Sequence, residues 1–339
     1  MRTIVRSRAP LRVSFGGGGT DVPPYTDNHG GCVLSTTIDR ATYCTIAPRA
    51  DDHIRVRSLD LDVLADFTKG EHFQYDGKLD LAKVVLNHFP LDRGVDILLH
   101  SDAPPGSGLG SSSSLIVALI TALAEWKGVS MGPQETAELA VRMERKELGI
   151  PGGLQDQYSA AFGGFNWIEF NKDENLVMPL RLPRSIREEL EYRSILVYVG
   201  RTRLSANILN EQIAETAKAT GTVVEALHET KQIAHEMRRA ILKSDWDRWG
   251  ELLHQGWVHK KKFSSKMTDA HIDALYDAAR KAGASGGKLL GAGGGGFLYL
   301  WCPADHKQDV VRELRAQGGE PVGFAIDMEG ARAWRVKEK

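Results

Sequence analysis

The stretch PPGSGLGSSSS, residues 104–114, lies between a strand pattern, VDILLH at 95–100, and an apolar helical pattern at 115–126. Glycine frees consecutive backbone N–H groups to fold around phosphate oxygens, and the start of the following helix adds partial positive charge. A flexible serine–glycine linker is the alternative, but such linkers are not usually set between a hydrophobic strand and an apolar helix. The stretch therefore predicts a phosphate-binding loop that opens a helix.

This loop carries no lysine of the Walker type, because the pattern G-x-x-x-x-G-K-[ST] occurs nowhere in the chain. Positive charge near a bound phosphate must then come from other sources. Backbone amides, the helix start, a metal ion and a basic residue distant in sequence remain as candidates.

A second glycine cluster, Gly16–Gly19, follows Arg12 and precedes Thr20 and Asp21. Glycine lets the backbone approach a ligand closely, and Asp21 can accept hydrogen bonds from hydroxyl groups. A tight turn capped by the aspartate explains the same residues equally well. The cluster by itself leaves both interpretations open.

A third cluster, GAGGGG at 291–296, matches the pattern G-x-G-x-x-G. A dinucleotide-binding fingerprint follows a strand and opens a helix, whereas this cluster opens the strand FLYLWC at 297–302. The Rossmann interpretation is therefore rejected. A loop packed against a ligand or against another glycine loop is favoured.

Two carboxylates, Glu144 and Asp156, flank a break at 149–153 that ends a predicted helix over 133–148. Paired carboxylates near a phosphate loop are typical of a metal ligand and a base or orienting group. The alternatives are a solvated, charged helix end for Glu144 and a helix N-cap for Asp156. The basic run at 260–262 is interpreted as complementing a helix dipole, with phosphate binding as the less favoured alternative.

The bulk composition of the 339 residues predicts a soluble, cytoplasmic protein of about two domains. A formal charge of −1 gives no general attraction to nucleic acid. The odd number of cysteines, three, and the lack of a C-x-x-C pair favour reduced thiols. The N-terminal stretch lacks the apolar run of a signal peptide, and the apolar run at 115–124 is too short to span a membrane.

The order of predicted elements favours an α+β fold. The first half carries strand patterns near 2–15, 32–47 and 54–67, and the polar segment 171–187 is the expected domain boundary. The second half reads as strand, helices, strand, helix, strand, which suits an α+β sandwich better than a βαβ repeat. One long helical stretch is predicted over 205–263, with a restart at Ser244 and Asp245.

Taken together, the motifs resemble those of the GHMP kinase family, named for galacto-, homoserine, mevalonate and phosphomevalonate kinases. The motifs APLRVSFGGGGTD at 9–21, PPGSGLGSSSS at 104–114 and KLLGAGGGGF at 288–297 stand in the family order, and PGGLQDQYSAAFGG at 151–164 resembles its catalytic region. The resemblance implies an N-terminal domain like ribosomal protein S5 domain 2 over 1–185 and a ferredoxin-like α/β sandwich over 186–339. ATP would bind between them.

The resemblance also implies roles for individual residues. Asp156 would orient or deprotonate the acceptor hydroxyl, with Arg12 beside it, and Ser112 and Glu144 would bind Mg²⁺. The nucleotide phosphates would lie on Pro105, Gly106, Ser107, Gly108, Leu109, Gly110, Ser111, Ser112 and Ser113. The acceptor would contact Asp21, Gly18, Gly19, Thr20, Gly293 and Gly294.

The first motif departs from the galactokinase-like form GEHTDY, since it reads GGGGTDVPPY and lacks the Glu-His pair. This form is similar to the branch that includes heptose 7-phosphate kinases and fucose-kinase-like domains, which implies transfer to an anomeric hydroxyl. A phosphate on the acceptor would need cations, for which Arg201, Arg203 and Lys288 are candidates. Three alternative functions remain open: a sugar kinase, a non-catalytic ATP and sugar sensor, and a mevalonate-type kinase. A homodimer is left open as the oligomeric state.

Overall fold

The structure is a computed structural model that describes residues 2–200, 206–218 and 221–338. The strands are β1 (Arg2–Gly16), β2 (Gly31–Pro48), β3 (His53–Ser58), β4 (Val63–Thr68), β5 (Val95–Ser101), β6 (Phe165–Phe170), β7 (Asn175–Pro179), β8 (Ser194–Tyr198), β9 (Gly286–Leu289), β10 (Phe297–Trp301), β11 (Glu320–Val322) and β12 (Arg332–Glu338). The helices are α1 (Tyr25–His29), α2 (Asp80–His88), α3 (Ser111–Lys127), α4 (Pro133–Val141), α5 (Gln155–Phe162), α6 (Arg184–Arg193), α7 (Ala206–Ala217), α8 (Thr222–Lys243), α9 (Trp246–Lys260), α10 (Ala270–Lys281) and α11 (Lys307–Ala316). A π-helix at Arg142–Glu147 continues α4, and a 3-10 helix at Ala304–His306 precedes α11.

The larger sheet has the strand order β12-β1-β2-β5-β3-β4, and β6 joins it on β2, followed by β7. Proline has no N–H to donate to a neighbouring strand, and the register of β1 against β2 shifts between Pro10 and Arg12. The N–H of Arg12 instead donates to the carbonyl of Leu109, at 3.0 Å. This irregularity ties β1 to the loop that precedes α3.

Helix α3 packs against β1 and β2 and is buried along most of its length. Its apolar residues surround the helix instead of forming one stripe, a pattern typical of a helix in a core. Ile116, Leu119, Ile120 and Leu123 are fully buried. This packing fixes the position of the N-terminus of α3 at the end of the glycine loop.

The smaller sheet has the order β11-β8-β10-β9 and is antiparallel throughout. Phe15, near the end of β1, packs against Trp249 of α9 and Tyr299 of β10, with ring centroids 5.2 and 5.3 Å apart. These three rings are buried and join the end of β1 to the smaller sheet and its helices. The glycine loop after Phe15 is thereby held close to the smaller sheet.

The α+β prediction is confirmed, with several local differences. The helix predicted over 133–148 changes to a π-helix at Arg142, and the helical stretch over 205–263 is divided into α7, α8 and α9. The polar segment 171–187 contains β7 and the start of α6, and residues 332–338 form β12 on the larger sheet. The predicted restart at Asp245 is present as an N-cap, whose carboxylate accepts from the N–H of Arg248. The domain division at 185 stays a prediction.

Candidate active site

The predicted phosphate loop connects β5 to α3 and borders a cleft of about 200 Å³. Gly106, Gly108 and Gly110 have φ values of 74°, 82° and 81°, a backbone region that disfavours other residues. Within the described residues, no side chain caps the start of α3. The first backbone N–H groups of the helix are therefore free of side-chain caps, and phosphate binding by this loop stays a prediction.

Arg12 and Asp156 are brought together at this loop, although 144 positions separate them. The guanidinium Nε donates to Asp156 Oδ1 at 2.7 Å, and Nη1 donates to the carbonyl of Gly108. Arg12 is 3% exposed, whereas the carboxylate of Asp156 reaches the cleft. Asp156 lies in the first turn of α5, and the break at 149–153 turns the chain so that α5 begins beside the phosphate loop.

Glu144 is 1% exposed, so it does not lie on a solvated helix end. Its carboxylate accepts from the hydroxyls of Ser112 and Ser113, at 3.0 and 2.8 Å, and from Gln157 Nε2 at 2.6 Å. The residue lies in the π-helix, a rare turn that is frequent at functional sites. The first turn of α3 and Glu144 thus form one oxygen-rich side of the cleft.

Arg145 supports this side of the cleft. Its guanidinium pairs with Glu144 at 3.1 Å and donates to the carbonyl of Gly153 at 3.1 Å. A Cβ on Gly152 would lie 2.7 Å from the same guanidinium. Gly152 therefore lets the chain pass close to Arg145 between the π-helix and α5, whereas a Cβ on Gly153 would clash with the carboxylate of Asp21.

Asp21 is fully buried in the wall of the cleft. Its carboxylate accepts from the N–H groups of Gly19 and Gln155, at 2.9 and 3.1 Å, and from the Gln155 side chain at 3.0 Å. Burial raises the pKa of Asp21, and these hydrogen bonds act in the opposite direction. Asp21 thus joins the first glycine loop to the start of α5.

Two buried lysines face the same end of the cleft. Lys288 is 5% exposed and its ammonium lies 3.3 Å from the carbonyl of Phe15. Burial, followed by the charge of Arg12, lowers the pKa of Lys288 to about 8. Lys260, also buried, contacts the carbonyls of Leu289 and Gly291. The side chain of Lys260 therefore lies inside the molecule, in the last turn of α9, and donates to carbonyls outside its own helix.

The cleft brings most of the predicted site residues together. Its lining includes Arg12, Gly18, Gly19, Asp21, Gly106, Gly108, Gly110, Ser111, Ser112, Ser113, Glu144, Asp156, Lys288 and Gly293. The lining does not include Pro105, Ser107, Leu109, Thr20 or Gly294. The hydroxyl of Thr20 instead bonds the carbonyls of Gly17 and Cys32, and the N–H of Gly294 donates to Met267. Arg201 and Arg203 lie outside the described residues.

Several lining residues were not predicted from the sequence. Arg145 stands in the charged run ERKE at 144–147, and Gln155 and Gln157 flank Asp156 without forming a pattern of their own. The sequence did contain one indication that Lys260 is buried. It is the last residue of an amphipathic helix, next to the buried Trp257 and Phe263.

Comparison with known families decides the assignment. The family models for the GHMP kinases N-terminal domain and the GHMP kinases C-terminal region match residues 78–164 and 237–320. A Campylobacter jejuni protein named D-glycero-alpha-D-manno-heptose 7-phosphate kinase is 37% identical over 99% of this chain and 100% of its own. The chain belongs to the GHMP kinase family. The resemblance inferred from its motifs is therefore confirmed.

Two further relatives agree with this assignment. The solved structure of a D-glycero-D-manno-heptose 1-phosphate kinase from Bacteroides thetaiotaomicron has a TM-score of 0.83 and 35% identity, covering 98% of this chain and 100% of its own. An L-fucokinase/L-fucose-1-P guanylyltransferase from Bacteroides fragilis is 29% identical over 88% of this chain and 34% of its own length. The overall architecture is thus the GHMP kinase fold.

GHMP kinases are ATP-dependent, and this member is a phosphotransferase with a hydroxyl group as acceptor. All three cysteines are buried free thiols, as their number and spacing predict. Among the described residues, no helix combines the length and apolar character needed to cross a membrane.

Proposed function

We propose that this GHMP kinase transfers the γ-phosphoryl group of ATP to the anomeric hydroxyl of D-glycero-D-manno-heptose 7-phosphate, giving the 1,7-bisphosphate. The observation that carries the proposal is the 37% identity, along essentially the whole chain, to the Campylobacter jejuni protein of that name. The name of the Bacteroides thetaiotaomicron structure specifies a heptose 1-phosphate instead. The position of transfer must therefore be tested directly.

Asp156 is proposed as the group that orients the acceptor hydroxyl and takes up its proton. The supporting observation is its carboxylate, which lies at the cleft beside the phosphate loop and is held by Arg12. Phosphoryl transfer depends on in-line positioning and on neutralised charge more than on covalent help from the protein. Arg12 is proposed to stabilise negative charge that develops on the transferring group.

Mg²⁺ is proposed to bind at Ser112 and Glu144. One carboxylate and one hydroxyl fit this ion, which prefers oxygen ligands and usually keeps several waters and substrate phosphates in its shell. The supporting observation is the hydrogen bond between the two side chains, which places the hydroxyl of Ser112 3.0 Å from Glu144 Oε1 at the start of α3. The bound ion would neutralise charge on the nucleotide phosphates.

The acceptor is proposed to bind on the opposite side, against Gly18, Gly19, Asp21 and Gly293. Lys288 is proposed to contribute positive charge there, with Arg201 and Arg203 as further candidates for the acceptor phosphate. The supporting observation is the position of Lys288 in the cleft lining next to the first glycine loop.

A coupled ADP-release assay with several acceptors tests the proposal. Heptose 7-phosphate, mannose, fucose and mevalonate should be compared at equal concentration, and the product should be examined by phosphorus and proton NMR. Turnover of heptose 7-phosphate with a new phosphate coupled to the anomeric proton supports the proposal. Preferential turnover of another acceptor, or phosphate at another carbon, overturns it.

A fucose- or mannose-type 1-kinase is the second candidate, favoured by the similarity to the Bacteroides fragilis fucokinase. The same acceptor screen separates the two, because only the first substrate class carries a phosphate before the reaction. A non-catalytic sensor would bind ATP and sugar without releasing ADP, and calorimetry beside the assay would reveal it.

A further inference from the structure

Lys260 has no part in the function proposed above, yet its side chain reaches the cleft from the last residue of α9. It is 6% exposed, and its ammonium donates to the carbonyl oxygens of Leu289, at 2.8 Å, and of Gly291, at 2.5 Å. Two buried carbonyls are costly to leave without a partner, so a donor that serves both holds the backbone in place. Lys260 thus fixes the backbone at the start of the 291–296 turn.

This turn is packed directly against the phosphate loop. A Cβ on Gly291 would lie 2.5 Å from the Cα of Gly108, and a Cβ on Gly108 would lie 2.7 Å from the carbonyl oxygen of Leu290. At the far end of the turn, the N–H of Phe297 donates to the carbonyl of Ser107 at 3.0 Å. Backbones this close leave no space for the turn to move without moving the loop.

The phosphate loop is in turn bonded to the proposed catalytic pair. The carbonyl of Gly108 accepts from Arg12 Nη1, and Arg12 holds Asp156. A continuous set of contacts therefore runs from Lys260 through Gly291 and Gly108 to Asp156.

The charges around Lys260 favour a bound polyanion. Burial lowers the pKa of Lys260 well below its ordinary value, and the neighbouring charges of Lys288 on β9 and Arg12 on β1 act in the same direction. Asp21, after β1, is the acidic group that opposes them. The phosphates of a bound nucleotide would bring negative charge close to these basic side chains and so favour their charged forms.

We propose that Lys260 is a positioning residue for phosphoryl transfer, which holds the 291–296 turn against the phosphate loop and thereby sets the loop and the Arg12–Asp156 pair. The inference rests on the roles proposed above for Arg12 and Asp156. The competing interpretation is that Lys260 only fastens α9 to β9 and contributes to stability alone.

The test compares Lys260→Met with Lys262→Met, which removes an exposed lysine from the turn that follows α9. Calorimetry with ADP and with adenosine needs no acceptor and reports on the phosphate loop. We expect Lys260→Met to weaken ADP binding by about 10-fold, as for the loss of a buried hydrogen bond, and to leave adenosine binding unchanged. Lys262→Met should match the wild type with both ligands.

Turnover provides the second readout, measured well below the unfolding temperature of each variant. A misplaced catalytic geometry should lower kcat in Lys260→Met by about 10- to 100-fold. Unchanged ADP binding and kcat in a folded Lys260→Met protein, or equal losses for ADP and adenosine, overturn the inference. If that variant does not fold, Lys260→Gln, which keeps one amide donor, is measured in its place and read by the same criteria. A selective loss of ADP affinity supports the inference even if the wild type does not phosphorylate heptose 7-phosphate, so the two proposals fail separately.

Discussion

Two nitrogens of Arg12, Nε and Nη2, each lie 2.7 Å from the same oxygen of Asp156, Oδ1. The other carboxylate oxygen, Oδ2, faces Gly110 at the start of α3, where a Cβ would lie 3.2 Å from it. The carboxylate therefore stands between the arginine and the helix N-terminus that is expected to face phosphate. This arrangement lets one oxygen be held while the other is directed along the phosphate loop.

Asp156→Asn should remove the proton acceptor while keeping the size of the side chain. General-base catalysis typically contributes about 10²- to 10⁴-fold, so we expect kcat to fall by at least about 100-fold with little change in the KM for ATP. Asp173→Asn, in the exposed turn between β6 and β7, serves as the control and should retain full activity. An Asp156→Asn protein with wild-type kcat would contradict the role proposed for this residue.

Gly110→Ala should lower kcat by more than backbone strain alone explains. Gly110 and Gly128, which flank α3, both have positive φ values, 81° and 68°. A Cβ added at Gly110 would press on Asp156, whereas a Cβ added at Gly128 would meet nothing within 4 Å. Gly110→Ala and Gly128→Ala should both destabilise the fold by about 1 kcal/mol, but only Gly110→Ala should lower kcat. Thermal unfolding and kinetics on both variants test this, and equal kinetic effects would rule out the contact as the cause.

The three glycine motifs were sufficient to predict the fold family and part of the cleft lining, because each motif is local in sequence. The contacts between motifs are not local. Arg12 meets Asp156 only because β1 shifts its register after Pro10 and because the break at 149–153 redirects the chain into α5. Neither the register shift nor the turn into α5 has a sequence pattern that shows which distant residue will be contacted.

Burial explains the remaining differences between sequence and structure. Glu144 and Lys260 stand in charged runs, ERKE and HKKKF, that are typical of exposed helix ends. The π-helix turns Glu144 inward to Ser112 and Ser113, and the carbonyls of Leu289 and Gly291 accept the ammonium of Lys260. β12 was missed because RAWRVKE carries charges on both faces, as an exposed edge strand can.

Glu144→Gln should weaken binding of the divalent ion more than binding of the nucleotide alone. An amide keeps the shape of the side chain but removes the negative charge that attracts Mg²⁺. We expect the concentration of Mg²⁺ that gives half-maximal activity to rise by about 10-fold. Binding of Mn²⁺ in the presence of ADP, measured by electron paramagnetic resonance, should weaken in parallel. Chelation by EDTA should abolish turnover in all variants.

Glu147→Gln is the matched control for this substitution, since Glu147 belongs to the same π-helix but pairs with Arg142 near the surface. It should leave the Mg²⁺ dependence unchanged. If both variants shift the Mg²⁺ dependence equally, the effect is one of general surface charge and Glu144 is not the ligand.

Lys288 should give the enzyme an alkaline limit near pH 8. Its pKa is lowered to about 8 from an ordinary value of 10.5, first by burial and then by Arg12. The ammonium is therefore charged below pH 8 and loses its charge as the pH rises through that value. If the charge helps to bind an anionic reactant, kcat/KM should fall above pH 8. Lys288→Met should have lower activity but should not show this fall above pH 8.

The contribution of Lys288 to stability should rise over the pH range in which activity falls. Measurements of stability and of activity can therefore be told apart. In the unfolded chain Lys288 keeps its ordinary pKa, so between pH 8 and 10.5 the unfolded state binds more protons than the folded state does. The contribution of this group to the free energy of unfolding therefore rises with pH over that window, because the cost of burying the ammonium is relieved. A loss of activity above pH 8 that follows a loss of folded protein would contradict this account. A loss of activity in protein that stays folded by circular dichroism, absent in Lys288→Met, would support it.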